Sequence, residues 1–442
     1  MFRDLSSYFF QHFWACLIVL CLLGQMVTFW LWHRLFASKP VRLAVKMGYL
    51  FLNLAWIVCL CLFHMGKMRG PWWTFIGRPA ISWEIFSFIL VIPTVLVGLV
   101  WLASRLLAWI IHGWRRLKLD KAREADSGRR LFLKRAGAAG LVAATGLCGF
   151  GVLAQTIRPG VARRELFFPG LPAELDGFVI CQLTDLHLGM WSNQWELETA
   201  IRTAGEEKPD LVVITGDLVD RDPENARLYH EPLRLLRQVP HGVFAVLGNH
   251  DHYAGATRVA ELLDGYGLTM LVEKRHNLPG APITIVGLDD QSSGGWMGSY
   301  TKRRREGLET DPDALTFGRL TGPARRPGDF SLLLNHRPEG YRQASREGFD
   351  LYLAGHTHGG QYQLPWDDQG NLAALFYRYS SGLYHDHDCY LNVSRGLASV
   401  GLPFRLFAWP EIDVLTLRKP RHDALSDFRN INKDSQGIMM PM

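Results

Sequence analysis

The sequence predicts an all-α transmembrane region followed by a layered α/β domain. Long apolar segments occur before about residue 160, and short strand-like runs alternate with helix-like segments after it. The charge changes at the same place, because residues 1–160 carry 19 Lys and Arg against 5 Asp and Glu, whereas residues 161–442 carry 29 against 37. The basic excess therefore accompanies apolar segments, as in membrane proteins, and gives no support to nucleic-acid binding.

Four apolar segments in the amino-terminal region are long enough to cross a bilayer, although a buried core helix is the alternative for any one of them. They predict three transmembrane helices within residues 1–111 and a fourth transmembrane or signal-anchor helix over residues 136–157. Residues 112–135 form the most basic loop of the chain, which is expected to stay in the cytoplasm. The first three spans are residues 9–32, 47–65 and 83–111.

The basic loop contains the segment 128–134, which resembles a twin-arginine export signal. Paired arginines precede Phe-Leu-Lys and a mildly apolar stretch rich in Gly and Ala. The alternative is an ordinary basic flank of a transmembrane helix. Both interpretations place everything after about residue 160 outside the cytoplasm, and the first makes the twin-arginine translocase an expected partner.

The α/β domain is predicted from apolar runs that are short and separated by helical patterns. Residues 289–328 interrupt this alternation with many Gly and Pro residues and are expected to form a long surface loop. The strand-like runs lie near residues 178–183, 211–214, 242–247, 268–272, 283–288, 330–334, 350–354, 388–393 and 412–417. The helix-like segments lie at residues 194–207, 224–237, 256–264 and 338–347.

Polar side chains of the kind that bind metals follow five of these strand-like runs. Asp217 is the central one, because Gly216 lets the chain turn sharply at the end of a buried strand and presents a carboxylate at the edge of the sheet. Oxygen donors and imidazoles together suit Mn²⁺, Fe or Zn²⁺ better than Ca²⁺. The complete set of candidate ligands is Asp185, His187, Asp217, Asn249, His336, His356 and His358.

The candidate ligands divide into two groups that share Asp217, so that two divalent ions would lie roughly 4 Å apart. A hydroxide held between the ions would attack phosphorus in line at neutral pH. His250 remains outside both groups and is predicted to stabilise or protonate the leaving oxygen. Asp251 is predicted to orient it, an ordinary surface position being the alternative for Asp251. One ion would take Asp185, His187, Asp217 and His358, and the other Asp217, Asn249, His336 and His356.

These motifs resemble the calcineurin-like metallophosphoesterase family across residues 165–418, leaving residues 419–442 as a carboxy-terminal tail. The resemblance rests on Asp-x-His, Gly-Asp-x-x-Asp, Gly-Asn-His-Asp, a later His336 and Gly-His-x-His. It implies a four-layer αββα sandwich of two mixed sheets and a binuclear metal centre. The segments 355–361, 393–396 and 403–405 look like the bacterial membrane-associated or twin-arginine-exported branch. The expected location is therefore the bacterial inner membrane, with the catalytic domain on its extracytoplasmic side.

The predicted function is metal-dependent hydrolysis of a phosphodiester, phosphomonoester or diphosphate bond in a lipid or envelope substrate. The second hypothesis is also an enzyme, a nucleotide phosphodiesterase or nuclease. The alternative without catalysis is a metal-stabilised membrane scaffold. The acidic balance after residue 160 argues against tight nucleic-acid binding. A basic run in the long loop is predicted to contact phosphate or lipid headgroups, a simple solvated loop being the alternative. The run consists of Lys302, Arg303, Arg304 and Arg305.

Overall fold

The computed structural model describes residues 158–189, 192, 194–290, 326–401 and 403–420, together with scattered helical positions before residue 152. The chain divides into two units, and the second contains all of the strands described below. The units are Met1–Thr156 with Leu402–Phe404, and Ile157–Gly401 with Arg405–Met442.

Several predictions fall on residues that the structure does not describe. They include most of the four expected spans, the twin-arginine-like segment and the basic run Lys302–Arg305. Most of loop 112–135 and of the tail after residue 418 also lies outside the described residues. Within the part of the chain that is described, no helix combines the length and the apolar character needed to cross a membrane.

The second unit consists of fourteen strands and four α-helices among its described residues, with short 3-10 segments between them. The strands are β1 (Gly160–Phe167), β2 (Val179–Leu183), β3 (Leu211–Thr215), β4 (Val243–Val246), β5 (Thr269–Met270), β6 (Lys274–Asn277), β7 (Ile283–Gly287), β8 (Phe330–Leu334), β9 (Leu351–Ala354), β10 (Gln363–Leu364), β11 (Asp367–Asn371), β12 (Gly382–Asp386), β13 (Cys389–Val393) and β14 (Glu411–Arg418). The helices are α1 (Gln194–Glu206), α2 (Asn249–Ala254), α3 (Ala256–Gly265) and α4 (Tyr341–Arg346).

Twelve of the strands form two six-stranded sheets, and both sheets are mixed, as the sequence predicted. Sheet A has the order β1-β14-β2-β3-β4-β5, and only the β14–β2 pair is antiparallel. Sheet B has the order β12-β13-β9-β8-β7-β6, with antiparallel pairs at its two ends. β14 therefore lies between the first two strands of the domain. β10 and β11 form a separate antiparallel hairpin.

Three apolar cores separate the layers, because successive side chains of each strand point to opposite faces of its sheet. The core between the sheets contains Ile180 and Val213 from sheet A and Leu332 and Leu353 from sheet B. The outer face of sheet A packs on α1 and α3, and the outer face of sheet B packs on α4. The domain is thus layered as helix, sheet, sheet, helix.

The observed elements differ from the predicted ones mainly at the edges of the sheets. The predicted helix 224–237 is instead two 3-10 segments, Pro223–Tyr229 and Pro232–Leu236. Pro232 explains the break, because proline has no N–H and its ring collides with the preceding helical turn. The domain also begins before residue 165, since β1 starts at Gly160. Within sheet A, β2, β3 and β4 run parallel, and within sheet B, β7, β8 and β9 do so. The candidate ligands follow the carboxyl ends of β2, β3, β4, β8 and β9.

Candidate metal centre

The first group of candidate ligands comes together where β2, β3 and β9 end. Asp185, His187, Asp217 and His358 each offer one ligand atom within 4.8 Å of the others, and all four side chains are buried. Nε2 of His187 lies 3.2 Å from Nε2 of His358 and 3.4 Å from Oδ2 of Asp217. Oδ1 of Asp185 lies 3.2 Å from Nε2 of His358. This is the predicted ligand set of the first ion.

Hydrogen bonds at the far side of each ring aim these imidazoles at the centre of the group. Nδ1 of His187 faces Oδ1 of Asp220 at 3.1 Å, and Nδ1 of His358 faces the carbonyl oxygen of Ala398 at 3.0 Å. Because Nδ1 donates to these acceptors, Nε2 of each ring carries a lone pair once the ring is neutral. The two lone pairs would then point at each other across 3.2 Å, an arrangement that a cation between them would stabilise.

The second group consists of Asp217, His336 and His356. Nε2 of His336 lies 3.2 Å from Oδ2 of Asp217 and 3.2 Å from Nδ1 of His356. Nδ1 of His336 faces the carbonyl oxygen of Thr215 at 2.9 Å, which leaves Nε2 directed towards Asp217. Asn249 lies at the beginning of α2, and the backbone N–H of the next residue, His250, donates to Oδ1 of Asp217. Oδ2 of Asp217 is consequently next to an imidazole of each group.

The burial and charge of both groups fit a cation. Oδ1 of Asp185 is buried and has no hydrogen-bond partner, although a buried carboxylate oxygen without a partner is costly. Burial by itself would lower the pKa of His187 and His336, but the charge of Asp217 and the other nearby carboxylates raise these values to about 9 and about 10. Burial lowers the pKa of His358 to about 3. The donor set, carboxylates with imidazoles, suits Mn²⁺, Fe or Zn²⁺.

The backbone at the ligands adopts a conformation that side chains other than glycine rarely take. Asp185, His187, Asp217, His356 and His358 all have φ between 44° and 71°. Such left-handed residues cluster at functional sites, where the surrounding structure holds them. Two glycines allow the carboxylates to approach the backbone. A Cβ on Gly248 would lie 2.2 Å from Oδ1 of Asp217, and one on Gly355 would lie 2.4 Å from Oδ2 of Asp185.

His250 contacts Asp220 and not Asp251, which corrects the predicted role of Asp251. Nδ1 of His250 lies 2.6 Å from Oδ1 of Asp220, and the His250 ring packs edge-on against His187. The carboxylate of Asp251 is fully buried and accepts hydrogen bonds from the backbone N–H groups of Gly248, Leu218 and Val219. Asp251 therefore ties the two loops that follow β3 and β4 and does not orient His250.

Arg337 is a residue of the site that the sequence reasoning did not identify. Its guanidinium is held by both carboxylate oxygens of Asp290 at 3.0 and 3.2 Å. Nη1 of Arg337 lies 2.8 Å from Nε2 of His356, and Nη2 lies 3.4 Å from Oδ1 of Asn249. Its position directly after His336 was the only available signal. A fixed positive charge therefore lies beside the second group of ligands.

Arg405 supports the first group from behind. It is the largest fully buried side chain among the described residues, and burial lowers its pKa to about 10. Its guanidinium donates to the carbonyl oxygens of Arg395, Ala398 and Ala408. It thus fixes the loop whose Ala398 carbonyl accepts the hydrogen bond from His358.

The chain is similar to known metallophosphoesterases. The family model for calcineurin-like phosphoesterases matches residues 178–360. The metallophosphoesterase YkuE of Bacillus subtilis (strain 168) is 33% identical over 302 residues, which cover 66% of this chain and 97% of YkuE. A transmembrane protein with metallophosphoesterase domain from Danio rerio is 27% identical over 420 residues, which cover 90% of this chain and 87% of that protein.

A dimetal phosphatase from Danio rerio is a structural neighbour, with 12% identity and a TM-score of 0.32, covering 50% of this chain and 88% of that one. The similarity to YkuE extends over nearly all of the YkuE sequence. This chain therefore belongs to the calcineurin-like metallophosphoesterase family and is a metal-dependent phosphoric ester hydrolase.

Proposed function

We propose that the chain hydrolyses a phosphodiester, phosphomonoester or diphosphate bond in a lipid or another envelope component, with two divalent metal ions. The position of Asp217 is the observation that carries this proposal. Its Oδ2 lies 3.4 Å from Nε2 of His187 and 3.2 Å from Nε2 of His336, so one carboxylate oxygen serves both groups of ligands. A shared carboxylate is what a pair of closely spaced ions needs.

When bound, such ions would supply a nucleophilic hydroxide at neutral pH and neutralise charge on the phosphoryl oxygens. The remaining work falls to side chains of the chain itself. His250 is partly accessible, and its Nδ1 is fixed by Asp220, so the other ring nitrogen can deliver a proton to the leaving oxygen. Arg337 can bind a phosphoryl oxygen, because its planar guanidinium offers several donors and Asp290 holds it in place.

The membrane location belongs to the same proposal. The apolar segments before residue 160 and the basic loop between them support a multi-pass protein of the bacterial inner membrane, with the metal centre on the extracytoplasmic side. The twin-arginine-like segment supports export through the twin-arginine translocase. A lipid or envelope phosphoester is then the substrate class within reach, and nucleic acid is not expected as a partner.

Metal analysis combined with turnover tests the proposal. The full chain is assayed with bis-p-nitrophenyl phosphate and Mn²⁺, and its metal content is measured by elemental analysis. We expect the wild type to bind two ions and to turn over, His336→Ala to retain about one ion, and Asp217→Ala to lose both ions with its activity. His387→Ala is the control, because its side chain is 85% exposed and lies in the turn after β12.

A protein that binds metal without turnover would support the scaffold alternative. Retention of one ion in Asp217→Ala would show that Asp217 does not serve both groups. The substrate can be identified with the active enzyme. The enzyme is incubated with lipid extracts, and phosphate release and mass shifts are measured.

A further inference from the structure

Large apolar side chains are exposed on the segment 363–376, which we call the apolar hairpin. It comprises β10, β11, the 3-10 segment Leu372–Leu375 and Phe376. Trp366 is 78% exposed, and Leu375 and Phe376 are each 73% exposed. Leu364 and Leu372 are exposed by 44% and 46%. Five apolar side chains are thus open to solvent within one short stretch.

This concentration is unusual among the described residues of the second unit. Outside the hairpin, its exposed large hydrophobic residues are Trp195, Leu235 and Tyr253, none more than 52% exposed. Scattered exposed apolar residues are ordinary on a soluble surface, but a contiguous group marks a site of contact with a partner or a membrane. The apolar hairpin therefore requires an occupant.

The apolar hairpin lies next to the metal centre in the sequence and in the structure. Its last residue precedes Tyr377, whose hydroxyl lies 3.2 Å from Nε2 of His356. Its 3-10 segment packs against the loop that carries His358, since a Cβ on Gly360 would lie 2.3 Å from the backbone nitrogen of Ala373. Whatever binds the hairpin is consequently held beside the site of hydrolysis.

The chain enters the domain at the same edge of the fold. Gly160 at the start of β1 is in register with Glu411 at the start of β14, and β14 runs antiparallel to β2. The start of β1 therefore lies at the same edge of sheet A as the end of β2. At that edge, β2 leads into Asp185. The apolar segment 136–157 stops shortly before Gly160 in the sequence. If segment 136–157 is embedded in the membrane, the edge of the domain that carries the metal centre is the edge that faces the lipid surface.

We propose that Trp366, Leu375 and Phe376 insert into the lipid surface and hold the metal centre at the membrane interface. Tryptophan and other aromatic side chains favour that interface, where one part of the ring is apolar and another is wet. This inference deepens the proposed function, on which it rests, because it identifies the substrate class as a phosphoester embedded in a bilayer. The edge of the domain at which the chain enters favours a lipid surface over a second protein as the occupant.

Site-specific photocrosslinking in the full chain tests the insertion. The protein is reconstituted into vesicles of phosphatidylethanolamine and phosphatidylglycerol with benzoylphenylalanine in place of Trp366 or Leu375. Trp195 and Leu235 are replaced in matched control proteins, because they are the same residue types, exposed by 45% and 49% but outside the hairpin. After irradiation, we expect lipid adducts on the peptides that contain positions 366 and 375, several-fold above the control positions, by mass spectrometry.

Adducts at positions 366 and 375 no more frequent than at the controls, or crosslinks only to protein, would overturn the proposed insertion. Turnover of bis-p-nitrophenyl phosphate is measured in the same vesicles and separates the two proposals. Lipid adducts without turnover would refute the phosphoesterase proposal and leave the insertion standing. Turnover without lipid adducts would refute the insertion and leave the phosphoesterase proposal standing. It would also show that the domain is folded.

Discussion

Oδ1 of Asp220 lies 2.6 Å from Nδ1 of His250. The same oxygen lies 3.1 Å from Nδ1 of His187, a candidate ligand of the first group. Burial by itself would raise the pKa of Asp220, but its hydrogen bonds with His187 and His250 hold it below its usual range. One ionised carboxylate therefore orients both a candidate metal ligand and the proposed proton donor, so we expect it to couple metal binding to catalysis.

Replacing Asp220 tests this coupling. We expect Asp220→Asn to weaken metal affinity by about 10–100-fold, because it removes the charged partner of His187. His250→Ala should instead retain its metal and lower kcat by about 10²–10⁴-fold, because it removes the proton donor alone. Metal titration and steady-state kinetics distinguish the two variants. Wild-type metal affinity in Asp220→Asn would show that the charge of Asp220 has no effect on binding.

Asp251 is predicted to stabilise the fold and to take no part in the reaction. Asp251→Ala leaves three buried N–H groups without an acceptor, and each unsatisfied group costs about 1–3 kcal/mol. We expect urea unfolding to show a loss of about 3 kcal/mol or more. Asp264→Ala is the control, because Asp264 is exposed near the end of α3. Normal stability with lost turnover would instead restore a catalytic role for Asp251.

Gly248 is predicted to be essential for the position of Asp217. In Gly248→Ala the new methyl group would lie 2.2 Å from Oδ1 of Asp217 and 2.4 Å from its backbone nitrogen. The carboxylate must move, so we expect loss of bound metal and a drop in activity of at least about 100-fold, by analogy with small displacements at other catalytic sites. Gly205→Ala is the matched control, since nothing lies within 4 Å of a Cβ there and the residue is helical. Full activity in Gly248→Ala would contradict this packing.

Metal affinity is predicted to rise with pH. Without metal, the nearby carboxylates raise the pKa of His187 to about 9 and that of His336 to about 10, so both rings are protonated at pH 7. A metal must displace these protons, which makes affinity increase up to about tenfold per pH unit for each proton released, until the pH passes these pKa values. His358, with a pKa of about 3, adds no such dependence. Calorimetric titration between pH 6 and pH 9 measures the slope, and a flat profile would contradict the prediction.

The sequence located the buried strands well because their apolar runs are short and end in turn residues. β2, β3, β7, β8 and β9 lie within a residue or two of their predicted positions. The missed strands β1, β6 and β12 lie at the edges of their sheets, and the missed strands β10 and β11 form the separate hairpin. An edge strand is only partly covered, so its sequence lacks the apolar pattern that marks a buried one.

The sequence could also place the ligands at strand ends, but it could not say which side chain faces which. The spacing in Gly-Asn-His-Asp suggested Asp251 as a partner of His250, yet Asp251 accepts hydrogen bonds from backbone N–H groups in the loops after β3 and β4. Asp220 comes from a different strand end and reaches His250 only in the folded chain. Arg337 is similar, because its contact with Asp290 depends on how β7 and β8 pair.

Because β14 lies between β1 and β2, sheet A can be completed only after residues 411–418 have been synthesised. Until these residues leave the ribosome, β1 has no strand to pair with. Pairing between segments so far apart in the chain is slow and leaves intermediates prone to aggregation. A nascent chain of this protein should therefore depend on chaperones until its last strand has emerged.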